Sequence, residues 1–185
     1  MRLYMGLIHF PVYNKNHERI ASAITTLDIH DLARLAKTYG VKRLFIVTPL
    51  DDQQNLARRV LRHWIDGYGG QYNRNRKEAL ELVGVVPDLE GAVEEIRETE
   101  GEAPLIIATD ASNQKDRSMS YEKARGIIQE DKTVILLFGT AWGLHEEVMK
   151  KTDNILDPVS GKTGYNHLSV RTAAAIILDR LAGEI

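Results

Sequence analysis

The sequence contains no cysteine. That excludes disulfides, zinc–thiolate centres and thiol nucleophiles, and it fits an intracellular setting. No apolar run approaches the roughly 20 residues of a membrane span, and the opening M-R-L-Y-M-G-L-I-H-F-P-V-Y carries too short an apolar stretch for a secretion signal. The expectation is a soluble, cytoplasmic protein with no membrane partner. Also missing are a P-loop and a G-x-G-x-x-G fingerprint after any strand-like run, which argues against an ordinary nucleotide-binding α/β module. The six histidines lack clustered acidic or cysteine companions, so no metal site is expected. An excess of positive charge is absent too: a formal net charge of −2 rules out a globally basic nucleic-acid binder and leaves a local patch as the way to meet a polyanion.

Such a patch is present. Arg58, Arg59, Arg62, Arg74, Arg76 and Lys77 face only Asp66 in sequence, whereas seven acids between Asp88 and Glu102 are opposed by Arg97 alone. Trp64, Tyr68 and Tyr72 interleave with the basic residues. A solvated face explains charges like these in most proteins; the aromatics and the glycine turn at Gly67–Gly70 make an RNA-guiding surface the competing reading.

With 185 residues, 43% of them hydrophobic, the chain can bury one full core, and no repeat, low-complexity tract or linker divides it. A single domain spanning residues 1–185 is expected. Strand-like runs occur at Leu3–Val12, Leu44–Val47, Val83–Val86, Leu105–Ala108, Val134–Phe138 and Asn154–Leu156. Between them, Leu32, Leu35, Ala36 and Tyr39 mark one helical face before Gly40, and Ala57, Val60, Leu61 and Trp64 mark another before Gly67. Further helices are expected at Asp88–Glu100, Tyr121–Glu130, Leu144–Lys150 and Leu168–Leu181. Strands alternating with helices give an α/β fold, a mostly parallel sheet with helices on both faces.

The richest region is the end of the chain. The apolar strand V-I-L-L-F runs into G-T-A-W-G-L-H-E-E-V, and a second polar loop, G-Y-N-H-L-S-V-R, feeds the small-residue helix T-A-A-A-I-I-L-D-R-L. A buried parallel strand that opens into a loop is the usual ligand position in an open α/β sheet, so two loops are expected to converge on one pocket. Gly139 and Gly143 either simply end a strand and start a helix, or let a ligand approach the backbone where no Cβ intervenes. Trp142 either stacks on a substrate base or caps the core.

These residues resemble the knotted α/β, or SPOUT, superfamily of RNA methyltransferases. L-L-F-G-T-A-W-G-L-H-E-E-V is similar to that family's glycine loop, N-H-L-S-V-R-T-A-A-A-I to its last motif, and T-T-L-D-I-H-D-L-A-R-L-A-K-T-Y-G-V to its first, with Arg34 six residues before Gly40. The pattern looks closest to a bacterial branch of such enzymes. The resemblance implies a C-terminal deep trefoil knot, a feature essentially absent from ordinary folds. It also implies S-adenosylmethionine bent inside the knot, an obligate homodimer with each site completed across the interface, and a tRNA or rRNA substrate. It places the donor against Thr109, Phe138, Gly139, Thr140, Gly143, Ile155, Leu156, Pro158, Asn166, His167, Leu168, Ser169 and Val170. Two departures stand out: ribose-methylating members commonly carry Asn-Glu where this chain has Thr140 and Ala141, and Asn where it has Ser169.

Three residues are candidates for the chemistry. Arg34 reads first as a solvated or salt-bridged side chain, but the first-motif likeness gives it the role of holding the target phosphate or base. Asp28, with Asp31 three residues on, reads as an N-cap with an acidic first turn, and either could act as a base. His167, beside Arg171 at a helix entrance suited to the donor's carboxylate, is either a backbone-satisfied histidine or a general base. His9 and His30 rank below it. A knotted RNA-binding or assembly protein without catalysis remains the alternative.

Overall fold

The computed structural model describes residues 1–112 and 115–184. Seven strands form one sheet in the order β5-β4-β1-β8-β6-β9-β7: β1 (Leu3–Ile8), β4 (Arg43–Val47), β5 (Val83–Val86), β6 (Leu105–Thr109), β7 (Ser118–Met119), β8 (Val134–Gly139) and β9 (Asn154–Leu156). Every pairing in it is parallel. A separate antiparallel hairpin joins β2 (Val12–Tyr13) to β3 (Arg19–Ile20).

Parallel strands need covered faces, and alternation along β1 supplies them. Leu3, Met5 and Leu7 enter a core closed by α1 (Thr26–Thr38), α2 (Asp51–Ile65), α4 (Arg74–Leu80), α6 (Tyr121–Gln129) and α8 (Val170–Ala182). Tyr4 and Ile8 enter a second core closed by α5 (Leu89–Glu100) and α7 (Glu146–Met149). The strand order reverses direction between β1 and β8. That switch point is where open α/β sheets place their ligands.

Several boundaries differ from the sequence reading. The apolar run Leu3–Val12 is not one strand: β1 stops at Ile8 and the chain turns through His9–Pro11, because Pro11 has no N–H to continue a ladder. Asp28 is not an N-cap. Thr25 holds that position, accepting from the Asp28 amide and donating its hydroxyl to Asp28 Oδ2 at 2.6 Å. The Gly67–Gly70 turn is instead a short helix, α3 (Tyr68–Tyr72), in which a Cβ on Gly69 would sit 2.7 Å from Trp64. Helix α7 starts two residues later than expected because His145 caps it, and α8 starts at Val170 because Ser169 caps it. Helix α4 and strand β7 carried too short a periodic signal to be foreseen. No helix among the described residues is long and apolar enough to cross a membrane.

Candidate functional site

The carboxyl ends of β8, β6 and β9, three adjacent strands, bring together the loops named from sequence. Thr109 closes β6 and donates its hydroxyl to Leu137 O at 2.9 Å, tying it to β8. Asn166 donates from Nδ2 to Ala111 O at 2.7 Å, so the last loop lies against the turn after β6. Phe138, Ile155 and Leu156 are buried with their side chains in the core, which leaves their backbones as the parts able to meet a ligand. Gly139 and Thr140 begin the glycine loop, Pro158 follows β9 half-buried, and His167 and Leu168 lie exposed.

The glycine loop is wound tightly. Ala141 and Gly143 have φ of 52° and 102°, and a Cβ on Gly139 would stand 2.8 Å from the Leu144 amide nitrogen. Gly143 and Gly139 are thus demanded by backbone geometry, the first by its positive φ and the second by close approach. Trp142 does not cap the core; it is 64% exposed.

This loop is held by a strap that sequence reading missed. The hairpin segment lies antiparallel to it: Tyr13 N donates to Gly143 O and Trp142 N to Tyr13 O, each at 3.0 Å, while Val12 bridges Leu144. Arg19 pairs with Glu147 at 2.9 Å on the outer edge. Beneath the strap, His9 Nδ1 lies 2.9 Å from Ser22 Oγ, Ser22 Oγ lies 2.5 Å from Thr140 Oγ1, and Thr140 donates to Ile8 O at 3.0 Å. His9 is fully buried, and its Nε2 has no partner among the described residues. Burial pushes its pKa down to about 4 against the opposing charge of Asp28, so the imidazole is neutral near pH 7. The signal available in the sequence was a histidine placed directly after a wholly apolar strand.

The catalytic candidates separate. Asp28, 6% exposed, is engaged by Arg171 Nη1 at 2.5 Å, and Arg171 Nε reaches Asp31 at 3.3 Å. Arg171 is therefore engaged with α1 through both carboxylates, and Asp28 is held by Arg171 and Thr25. Ser169 spends its hydroxyl oxygen capping the Thr172 amide at 3.3 Å. His167 has only the Tyr165 ring, edge-on at 5.3 Å, and no hydrogen bond among the described residues. Arg34 is exposed on α1 with no side-chain partner among them.

The basic patch is smaller than its sequence suggests. Arg74 pairs with Glu78 at 3.1 Å, Lys77 reaches Glu81 at 3.9 Å, and Arg76 lies over the Trp64 ring at 4.5 Å. Arg58, Arg59 and Arg62 are exposed on α2 and have no ion pair among the described residues. His30 meets the Trp64 ring edge-on at 5.4 Å, and the charges of Arg76 and Arg34 reinforce the burial that lowers its pKa. Arg34 thus shares a surface with the α2–α4 patch.

No group of three or more metal-ligating side chains occurs among the described residues. The left-handed turns at Ala141 and Gly143 after β8 do fit a bent donor, since backbone can approach it where no Cβ stands in the way.

A probable methyltransferase from Bordetella pertussis superposes with a TM-score of 0.64 at 17% identity, over 98% of this chain and 92% of that one, and so shares its fold. The chain is 46% identical over 182 residues to a tRNA (guanine-N(1)-)-methyltransferase of Oleidesulfovibrio alaskensis; the match takes in 98% of this chain but spans only 42% of that protein's length. An uncharacterized protein of Aquifex aeolicus is 36% identical, with 97% of this chain and 87% of that one aligned. The model of a family described as SAM-dependent RNA methyltransferase matches residues 2–183. The chain belongs to that family of RNA methyltransferases.

Proposed function

We propose that this chain transfers a methyl group from S-adenosylmethionine to a nucleotide of tRNA or rRNA, as a cytoplasmic homodimer of one knotted domain spanning residues 1–185. The observation that carries the reading is the assembly of three loops at the carboxyl ends of β6, β8 and β9, joined by the Asn166 and Thr109 hydrogen bonds, in a chain of the methyltransferase family. The knot would thread α8 through a preceding loop; α8 lies against α1 through the Arg171–Asp28 ion pair and in the same core as α6.

S-adenosylmethionine, when bound, supplies an electrophilic methyl on sulfur; its transfer to a nitrogen, carbon or oxygen nucleophile breaks that C–S bond and leaves a neutral thioether. The protein's work is alignment and, for an N–H, C–H or O–H acceptor, removal of one proton. Gly139 to Gly143 and Asn166 to Val170 hold the donor. Arg34, from the partner subunit, holds the RNA through its planar fork of donors. His167, exposed and without a competing hydrogen bond among the described residues, is the group positioned to take the proton. Arg58, Arg59 and Arg62 bind backbone phosphate, with Arg74, Arg76 and Lys77 lending charge from their local contacts.

The guanine N1 reaction of the Oleidesulfovibrio relative is a property of a protein of which the match spans 42%. Guanine is therefore one acceptor to test among several. The commitment of Ser169 and Arg171 to capping and to Asp28 favours a second reading, a knotted RNA-binding protein without catalysis. Incubating the protein with methyl-labelled donor and unmodified tRNA and rRNA transcripts separates the two: label in RNA supports transfer, and tight RNA binding with neither label nor donor binding supports the scaffold.

A further inference from the structure

The carboxyl edge of the sheet holds a concavity beside the Gly139–Gly143 loop. A cavity of about 250 Å³ opens at the carboxyl ends of β1, β4 and β5, with Ile8, Phe10, Val47, Pro49, Pro87 and Val148 among its apolar lining. It abuts the glycine loop directly, because Ile8 in its floor is the register partner of Gly139 across the β1–β8 pair, and neighbouring strands lie only about 4.8 Å apart.

The rim chemistry narrows the occupant. Asp88, Glu90 and Glu147 face Arg19 and Lys151, so carboxylates outnumber cations and a phosphate would be repelled. Arg19 is held bidentate by Glu147 and lies over the Phe10 ring at 4.4 Å. Lys151 engages only Oε1 of Glu90, which leaves lone pairs on a carboxylate that accepts up to about four hydrogen bonds. At about 250 Å³ the space falls below the roughly 300–1,000 Å³ of typical small-molecule sites, too small for the whole donor and suited to a single ring system. An apolar slot faced with proline and phenylalanine rings and fringed with hydrogen-bond acceptors fits a neutral planar heterocycle bearing amino groups.

We propose that this cavity is a nucleobase subsite that receives an amino-bearing base extruded from the RNA stack next to the donor loops, with Glu90 accepting from its exocyclic amino group. The proposal rests on the RNA methyltransferase reading and adds a second point of RNA recognition to it. Extrusion exposes a base's edge for such readout, and the walls replace the stacking it leaves.

The test is titration of guanosine, adenosine, cytidine and uridine into the isotopically labelled full chain, read by amide NMR, beside RNA kinetics. Shifts at Ile8, Leu89, Glu90 and Val148, with uridine the weakest ligand and guanosine 5′-monophosphate no tighter than guanosine, are expected. Glu90→Gln, a rim change that leaves the core intact, should weaken the amino-bearing nucleosides and raise the KM for RNA by about tenfold, as for one hydrogen bond to a charged acceptor, with donor affinity unchanged. Absence of shifts at these residues, tighter binding of the monophosphate, or a variant with wild-type KM overturns the subsite while methyl transfer stands. Nucleoside binding here in a protein that never transfers methyl upholds the subsite and overturns the enzymatic reading.

Discussion

Arg171 at the first turn of α8 donates to Asp28 at the first turn of α1 across 2.5 Å, joining residues 143 apart in sequence. Asp28 is nearly buried whereas Arg171 is one-third exposed. Removing the guanidinium leaves the carboxylate with Thr25 as its one hydrogen-bond partner among the described residues. Arg171→Ala is expected to cost about 2–3 kcal/mol, below the range for fully buried pairs, measured by urea unfolding. A loss under about 0.5 kcal/mol would mean that water replaces the pair and that the ion pair does not anchor α8.

His9 gives the fold a pH dependence of known sign. Its folded pKa, about 4, lies below the unfolded value near 6.5, so the unfolded chain takes up a proton first and stability falls as pH drops from 6.5 toward 4. Between pH 6.5 and 5, above the range where Glu90, Glu100 and Glu146 with their lowered pKa values titrate in the folded chain, His9 should cost about 1.5 kcal/mol. His30 shifts in the same direction, so the comparison is with His9→Gln, whose stability curve should be flatter by that amount. Parallel curves for the two proteins would contradict the assignment.

Gly139→Val should abolish donor binding while leaving the fold intact. The new Cβ would meet loop backbone at 2.8 Å, and the loop must open to relieve it, whereas the strands beneath are held by their ladder. Calorimetry with the donor and circular dichroism check the two halves of this statement. Unchanged donor affinity would remove the loop from the site.

Arg34→Ala is expected to leave donor affinity and stability within about 0.5 kcal/mol of wild type, as for an exposed side chain, while lowering methyl transfer by two orders of magnitude or more. If donor binding collapses instead, Arg34 serves the other half of the site.

Replacing Arg58, Arg59 and Arg62 together by alanine should weaken RNA binding and flatten its dependence on salt. Every phosphate left without its arginine lowers the slope of log K against log salt by about 0.7–0.9, so a change of roughly 2 is expected from filter binding at several ionic strengths. An unchanged slope would make these three arginines a solvated face.

Where the sequence spoke plainly, it did so through patterns confined to a short window. V-I-L-L-F marks β8 because a strand buried on both faces has no polar position, and Gly40 stops α1 because its φ is +68°. What escaped were relationships set by distant partners. The pairing of Val12 with Leu144 leaves no trace in the periodicity of a two-residue strand. The glycines of α3 read as flexible because propensity cannot register the Trp64 ring packed against Gly69. Asp28 looked like a cap because its position near the helix start was visible and Arg171, far along the chain, was not.

Donor binding by the dimer is tested most directly by calorimetric titration of the chain with S-adenosylmethionine and, separately, S-adenosylhomocysteine, with light scattering on the same sample. One site per chain, micromolar affinity of about −8 kcal/mol, mutual competition and a dimer mass are expected. A well-folded protein that binds neither compound would contradict the proposed function.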